Sequence, residues 1–278
     1  MLKYIIKRLL LAISCFLLII FCCFILTKIS ITKPLQPPLM SDLAWKDMCE
    51  KEGYDKPALT QFWKWFSHVC KGDFGFSTKL NQNVYDVVKS KIPITFKINI
   101  IPTLLSVPLG ILLAILTTIK KNSWIDYSII FFAIIVMTLG TLVIAIMAQY
   151  LFVHVWHLFP YQVSTSMEWK EKGFWFGVNS YLLPLAVMTL LSMVFYIRKI
   201  RAELIEQTNK NYFLLVRSKG LTFSQTINLH ALKNSLVPYA PVFFDEFVGL
   251  ITGSFLIERI FSIDGVGRLM IEAFQTQD

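Results

Sequence analysis

Long apolar stretches alternate with charged segments along this sequence. Five of them approach the roughly 20 apolar residues that a helix needs to cross a bilayer, and they cover residues 9–29, 98–119, 128–153, 181–197 and 236–257. The pattern predicts an all-α integral membrane protein with five transmembrane helices.

The composition supports the same class. Of the 278 residues, 55% are hydrophobic and 16% are charged, whereas a soluble domain carries about 25% charged residues. These proportions exclude an intrinsically disordered chain, a disulfide-dense secreted scaffold and an ordinary cytosolic enzyme. We interpret the net charge of +9 as an asymmetry between loops on the two sides of a lipid bilayer, and we expect no nucleic-acid partner.

The distribution of Lys and Arg predicts the orientation in the membrane. Residues 1–8, 120–127 and 198–235 hold twelve of them, against four in residues 154–180 and 258–278. Because cationic loops stay in the cytoplasm, the N-terminus is predicted to be cytoplasmic. The resulting organisation is an N-terminal transmembrane helix (1–32), an external insertion (33–97), a transmembrane core (98–257) and an external C-terminal segment (258–278).

The external insertion contains a predicted helix and two cysteines. Residues 63–69 carry aromatic and aliphatic side chains at helical spacing, and the Gly-Asp-Phe-Gly sequence at residues 72–75 ends this pattern. Cys49 and Cys70 either form a bridge in an oxidising exterior or remain two free, buried thiols. Further along, two histidines lie at i, i+3 without an evident third ligand, and no metal site is predicted.

The cytoplasmic segment at residues 206–236 has the pattern of two short helices joined by a tight turn. The first helix is predicted near residues 211–219, with Arg217 and Lys219 in its last turn, where cations complement the helix dipole. Gly220 suits the left-handed position that follows, and Leu221 can supply the hydrophobic contact of such a stop.

The second helix of this hairpin begins with a predicted capping box. The Thr222 hydroxyl would accept the amide of Gln225, whose side chain would reach back to the start of the helix. The helix continues to about Leu236. Its aromatic and apolar residues among basic ones indicate either a docking element for another protein or an amphipathic hairpin on an anionic lipid surface.

Two runs of this hairpin carry a family pattern. They are Asn-Tyr-Phe-Leu-Leu-Val-Arg-Ser-Lys-Gly-Leu at residues 211–221 and His-Ala-Leu-Lys-Asn-Ser-Leu-Val-Pro at residues 230–238. They resemble the cytoplasmic EAA loop of binding-protein-dependent ABC importer permeases, in the peptide/nickel branch. The resemblance extends to residues 1–10, 53–57, 71–77 and 252–268, and the last run is most similar to the first, B-type, subunit of oligopeptide permeases.

The sequence departs from the family pattern in several places. Val216 and Ser218 stand where the family prefers Ala, Leu214 and Leu215 occupy positions that are usually more polar, and Asp264 replaces a Pro. Family members also continue into a sixth span, whereas this sequence ends at residue 278. We therefore expect either a truncated sequence or a five-span member.

The resemblance implies the ABC type I importer permease fold and a place in a larger complex. The chain has no Gly-x-x-x-x-Gly-Lys-Ser/Thr loop, so it is not expected to be an enzyme or to hold a cofactor. ATP and magnesium would be bound by two cytosolic ATPase subunits. The other expected partners are a second, homologous permease subunit, an extracellular substrate-binding protein and a peptide substrate, at a bacterial cytoplasmic membrane.

The substrate and the class of protein leave alternatives. Oligopeptides are the first choice, and dipeptides or nickel and other metal chelates are the alternatives within the family. An alternative of another class is a channel or sensor whose cytoplasmic hairpin binds lipid or protein.

The resemblance also assigns the residues that would couple the chain to an ATPase. They are Tyr212, Val216, Arg217, Lys219, Gly220, Leu221, His230 and Asn234. For the last two, which lie at i, i+4, the alternative is that they pin the hairpin to its own transmembrane span.

Two consecutive carboxylates, Asp245 and Glu246, lie in the middle of the fifth predicted span. A charge at the bilayer centre costs roughly 2.5–3.5 kcal/mol on insertion scales. Because consecutive helical residues point about 100° apart, only one of them is expected to face a cavity. Our hypothesis is that this one lines the substrate path and attracts a cationic group of a peptide, and the alternative is a contact with the partner permease.

Overall fold

The computed structural model describes residues 2–30, 41, 57–77, 79–164, 168 and 171–276. Cys49 lies outside these residues, and with it the choice between a bridge to Cys70 and two free thiols. The chain forms two compact units, one of Met1–Val88 with Glu272–Asp278 and one of Lys89–Ile271.

The described residues are mostly helical. Two-residue strands β1 (Phe76–Ser77) and β2 (Gln82–Asn83) pair antiparallel. The α-helices are α1 Leu2–Ser30, α2 Ala58–Cys70, α3 Val84–Ile119, α4 Trp124–Gln149, α5 Phe174–Thr208, α6 Asn211–Ser218, α7 Phe223–Thr226, α8 Leu232–Leu236, α9 Ala240–Thr252, α10 Phe255–Ile260 and α11 Val266–Thr276. Tyr150–Val155 and Ile227–Ala231 are π-helical, and Val237–Tyr239 is a 3₁₀ turn.

Five helical stretches of the described residues are long and apolar enough to cross a membrane, and each overlaps one predicted span. They are Lys3–Thr27, Val84–Ile119, Trp124–Val155, Phe174–Thr208 and Phe223–Ile260. The predicted all-α membrane fold is therefore confirmed.

The structure corrects three details of the predicted spans. Helix α3 begins at Val84 and not at residue 98, because its first charged turns are unsuited to a membrane but still helical. The third span is kinked at Gly140, which has φ of 73°. The fifth span, predicted over residues 236–257, is interrupted at Gly253, with φ of 71°. Glycine adopts these left-handed conformations, and hydropathy alone does not reveal them.

The first unit contains the predicted aromatic helix, α2. Phe62 is buried and contacts the rings of Phe21 and Phe24 on α1, with centroids 5.0 Å and 5.5 Å away. Helix α2 ends before Gly72, as predicted. In the following turn, the carboxylate of Asp73 accepts the Gly75 N–H at 3.1 Å and contacts His68 at 3.2 Å. First the Gly75 N–H and then His68 lower the pKa of Asp73.

In the second unit, α3 approaches α5 closely at Gly110, which lies in a row of small residues spaced by four. Ser106, Ala114 and Thr118 are almost completely buried, and Gly110 lies between them. A Cβ on Gly110 would lie 2.6 Å from the Cβ of Tyr196 and 3.2 Å from the Met193 carbonyl oxygen. Small residues of this kind let the backbones of membrane helices approach.

The variant Gly110→Ala is expected to destabilise the chain. The added methyl group meets a Cβ and a backbone oxygen, which cannot rotate away, so α3 and α5 must separate at a cost of about 1–3 kcal/mol. Thermal unfolding of the purified protein in detergent measures this as a lower midpoint. Gly249→Ala is the matched control, since a Cβ there has no neighbour within 4 Å. Equal midpoints for the two variants would contradict the close approach.

Candidate functional site

The hairpin at residues 206–236 has the predicted turn. Helix α6 ends at Ser218, and the Lys219 and Gly220 N–H groups donate to the carbonyls of Val216 and Arg217 at 3.2 Å and 3.0 Å. Gly220 has φ of 93°, which confirms the left-handed position. A Cβ on Gly220 would have no neighbour within 4 Å, so backbone conformation, and not space, favours glycine here.

The second half of the hairpin starts with the predicted capping box. The Gln225 N–H donates to the Thr222 hydroxyl at 3.3 Å, and the Thr222 N–H donates to the Gln225 side chain at 2.9 Å. The helix then passes through the π-helical turn Ile227–Ala231 and α8 into the fifth span. Such π-turns inside helices are frequent at functional sites, and sequence reasoning did not predict this one.

One face of the hairpin is buried against the membrane helices. Phe213, Ile227 and Ala231 are at most 2% exposed. They form one apolar cluster with Ile200 and Leu204 of α5. The Phe213 and Phe223 rings meet edge to face at 5.5 Å. This packing fixes the hairpin to the C-terminal end of α5.

Two of the predicted coupling residues contact neighbouring side chains: Tyr212 contacts a residue of α5, and Arg217 contacts a residue of the hairpin itself. The Tyr212 hydroxyl donates to Gln207 at 2.7 Å, and the Gln207 amide donates to Glu203 at 2.8 Å. The Arg217 guanidinium lies over the Phe223 ring at 5.7 Å, within the range of a cation–π contact.

The other predicted coupling residues lie at or near the hairpin surface. Val216 and Leu221 are half-buried, and Lys219, His230 and Asn234 are exposed. The neighbouring Ala231 and Ser235 are buried.

The most exposed apolar residues of the hairpin are Leu214 and Leu215. From the sequence they were identified only as departures from the family pattern. Leu214 and Leu215 are 64% and 60% exposed, whereas Phe213 of the same helix is 2% exposed. Leu229 of the second helix is 54% exposed. We call Leu214 and Leu215 the leucine surface. The departure of residues 214 and 215 from the more polar family pattern was the one indication of it in the sequence.

The two intramembrane carboxylates have different surroundings. Glu246 is half-buried, and its carboxylate accepts a hydrogen bond of 2.8 Å from the Tyr196 hydroxyl. Asp245 is exposed on the surface of α9. The structure therefore brings Glu246, and not Asp245, into the interior of the second unit.

Glu246 lines a cavity of about 250 Å³ between α3 and α9. The remaining lining is almost entirely apolar and comprises Thr103, Leu104, Val107, Pro108, Phe243 and Phe247. The sequence contained one indication of this site, the prolines of α3, which are typical of membrane helices that line cavities. Tyr196 gave no such indication.

A further carboxylate, Glu258, is buried and was not predicted to have a role. It is 1% exposed, and it accepts hydrogen bonds from the Thr95 hydroxyl at 3.1 Å and the Arg268 N–H at 3.0 Å. A Cβ on Gly253 or Gly265 would lie within 2.5 Å of the Glu258 carboxylate. The carboxylate thus fixes the segment after the fifth span, which explains the glycines of the 252–268 run.

An ion pair links α4 to the C-terminal part of α5. Arg201 donates from Nε and Nη2 to the two carboxylate oxygens of Asp126 at 2.9 Å and 2.7 Å. Asp126 also accepts the Asn122 N–H at 3.1 Å, and its side chain is 3% exposed. Sequence reasoning missed this pair because its members lie 75 positions apart.

The described residues contain no group of three or more His, Cys, Asp or Glu side chains that could hold a metal ion.

Known proteins similar to this chain are membrane transport subunits. The dipeptide transport system permease protein DppB of Lactococcus lactis subsp. cremoris is 28% identical over 279 residues, which cover 100% of this chain and 88% of the relative. The oligopeptide transport system permease proteins OppB of Salmonella typhimurium and Escherichia coli are 27% and 28% identical over 287 residues, which cover 100% of the chain and 89% of each relative.

A family match covers most of the second unit. The sequence profile of the binding-protein-dependent transport system inner membrane component matches residues 106–278. The match includes the hairpin, Tyr196 and both intramembrane carboxylates, and it covers more than half of the chain. The resemblance found in the sequence is thereby confirmed: the chain belongs to the family of binding-protein-dependent transport system inner membrane components.

Proposed function

We propose that this chain is one of two membrane subunits of an ATP-driven importer that carries oligopeptides into a bacterial cell. The names of the relatives, which are peptide and dipeptide permeases, support a peptide substrate. A second permease subunit forms the other half of the path, and an extracellular binding protein delivers the peptide. Two cytosolic ATPase subunits bind ATP and magnesium, and the N-terminus is cytoplasmic.

The leucine surface is the observation that carries the coupling role. Phe213 fixes α6 in the apolar cluster at 2% exposure, while the two residues that follow it, Leu214 and Leu215, are 64% and 60% exposed. Burial of an apolar side chain of this size contributes about 1.5–3 kcal/mol. A groove on the ATPase that covers Leu214 and Leu215 therefore gains a substantial share of its binding energy from them.

The connections of the hairpin allow it to act as a lever. Helix α5 leads into it after only Asn209 and Lys210, and its second half continues without a loop into the fifth span. Movement of an ATPase bound to the leucine surface is thus passed directly to two membrane helices. Rigid-body motion of this kind is how transporters alternate between outward and inward openings.

The variant Gly220→Val tests the coupling role of the hairpin. A β-branched residue at φ of 93° costs about 1–3 kcal/mol in backbone strain, which disfavours the observed turn. We expect ATP-dependent peptide uptake by the reconstituted importer to fall about tenfold for the same reason, while ATP hydrolysis continues.

The matched control is Gly220→Asn, because Asn adopts left-handed conformations far more readily than Val. A Cβ at this position has no neighbour within 4 Å, so neither side chain's Cβ clashes with the protein. The two variants therefore differ in how readily their backbone adopts the left-handed conformation. Wild-type uptake by Gly220→Val would show that the turn is not a coupling element, as the alternative of a channel or sensor requires.

A further inference from the structure

The cavity at Glu246 has the properties of a binding site, and the following inference rests on the proposed import of peptides. We propose that this cavity binds one cationic group of the peptide during its passage, with the Glu246 carboxylate as the counter-ion and the Tyr196 hydroxyl holding that carboxylate in place. The cationic group is an ammonium or guanidinium ion, from a Lys or Arg side chain or from the peptide's amino terminus.

The hydrogen bonding of Glu246 is incomplete. Among the described residues, the Tyr196 hydroxyl is its one hydrogen-bond donor, and none of the residues that line the cavity is cationic. An ionised carboxylate has about four lone-pair positions. The carboxylate therefore retains most of its capacity to accept hydrogen bonds from a ligand.

The position of Glu246 in the membrane makes this capacity significant. Ionisable residues inside a span are expensive, and they mark substrate paths unless a protein partner neutralises them. Glu246 lies in the middle of the predicted fifth span, in a wall of Leu, Val, Pro and Phe side chains. In such surroundings, the attraction between opposite charges is stronger than in water, so a cationic group is the complementary ligand.

Tyr196 is held rigidly and therefore acts as a positioning residue. It is 0% exposed, its ring stacks on Phe243 with centroids 6.0 Å apart, and Gly110 lies against its Cβ. A donor fixed in this way orients the Glu246 carboxylate before the ligand arrives, which reduces the entropy lost on binding.

The size of the cavity limits what it accepts. Its volume of about 250 Å³ lies below the roughly 300–1,000 Å³ of pockets that enclose a drug-sized ligand. The cavity therefore fits one side chain or one terminal residue of a peptide and not the whole molecule. We infer that the cavity selects peptides by the charge of one of their residues.

The test compares two peptides in proteoliposomes that contain the complete importer and its binding protein. Uptake of Ala-Lys-Ala is measured relative to uptake of Ala-Ala-Ala. In Glu246→Gln, which keeps the shape and removes the charge, we expect this ratio to fall about tenfold, the size of one lost charged hydrogen bond. The matched control is Asp245→Asn, which removes the neighbouring exposed carboxylate and is expected to leave the ratio unchanged.

Tyr196→Phe is the second variant. It removes the hydroxyl group and keeps the buried ring, so we expect unchanged amounts of purified complex and a smaller fall in the same uptake ratio. A change in selectivity without a change in yield is a result that a purely structural role for Tyr196 does not produce.

The remaining outcomes are decisive as well. An equal fall for both peptides, with the second membrane subunit retained, assigns Glu246 to the amino-terminal ammonium group that both carry. Unchanged uptake of both peptides overturns the site but leaves the proposed function intact. Loss of the second subunit from Glu246→Gln shows a subunit contact and also overturns the site. A wild-type complex that takes up neither peptide overturns both proposals.

Discussion

Replacing Leu214 and Leu215 together by Asp is expected to reduce peptide uptake to the background of vesicles without the importer. The two leucines are 64% and 60% exposed in the isolated chain, and their burial by an ATPase contributes about 1.5–3 kcal/mol each. The substitutions also place two carboxylates in an apolar groove, which adds a desolvation cost. A loss of more than about a hundredfold in affinity follows from the apolar term alone.

The control for this prediction is Asn211→Asp. It adds a carboxylate to the same helix, but at the exposed first position of α6, where a negative charge favours the helix dipole. We expect uptake close to that of the wild type. If the double variant also transported peptide at the wild-type rate, the leucine surface would not be the docking site.

Of the single substitutions proposed for this chain, Arg201→Ala is expected to cause the largest loss of stability. The change leaves the Asp126 carboxylate, with a side chain only 3% exposed, without its bidentate partner. Breaking a buried ion pair by removal of one partner typically costs about 3–5 kcal/mol. The expected result is a much lower yield of folded protein and a lower midpoint of thermal unfolding in detergent.

Two further variants separate the ion pair from a general effect of removing an arginine. Arg198→Ala removes an exposed arginine from the same helix and is expected to unfold at nearly the wild-type temperature. The double variant Asp126→Ala with Arg201→Ala removes both charges and should regain part of the lost stability, since no unpaired carboxylate remains. Equal unfolding midpoints for Arg201→Ala and Arg198→Ala would contradict a stabilising role for the pair.

The structure also connects the hairpin with the cavity. Tyr196, which holds Glu246, belongs to the same apolar cluster as Phe213 and Ile227 of the hairpin. A shift of the hairpin would therefore displace packed side chains that reach the cavity wall.

Local features of the fold were predictable from the sequence. The five spans follow from hydropathy, and the turn at Gly220 and the capping box of Thr222 with Gln225 follow from local rules. Each of these depends on side chains that lie within one or two helical turns. The first helix of the hairpin was predicted near residues 211–219 and spans Asn211–Ser218. A difference of one residue is within the usual uncertainty of helix ends.

Features that depend on tertiary packing were not predictable in this way. The bond from Tyr196 to Glu246 joins residues 50 positions apart, and the bond from Thr95 to Glu258 joins residues 163 positions apart. The kinks at Gly140 and Gly253 also escaped, because a glycine in an apolar stretch is compatible with a straight helix. The choice of Glu246 over Asp245 required the orientation of α9, which the sequence leaves open.

Co-purification is the decisive test of whether the hairpin docks a separate ATPase. The tagged chain is isolated from its native membranes in mild detergent, as the wild type and as the Leu214→Asp, Leu215→Asp variant. We predict that the wild type carries an ATPase with a phosphate-binding loop in stoichiometric amount. We predict that the variant retains the second permease subunit but loses the ATPase. A wild-type chain that emerges without an ATPase, or a variant that keeps it, would contradict this docking role.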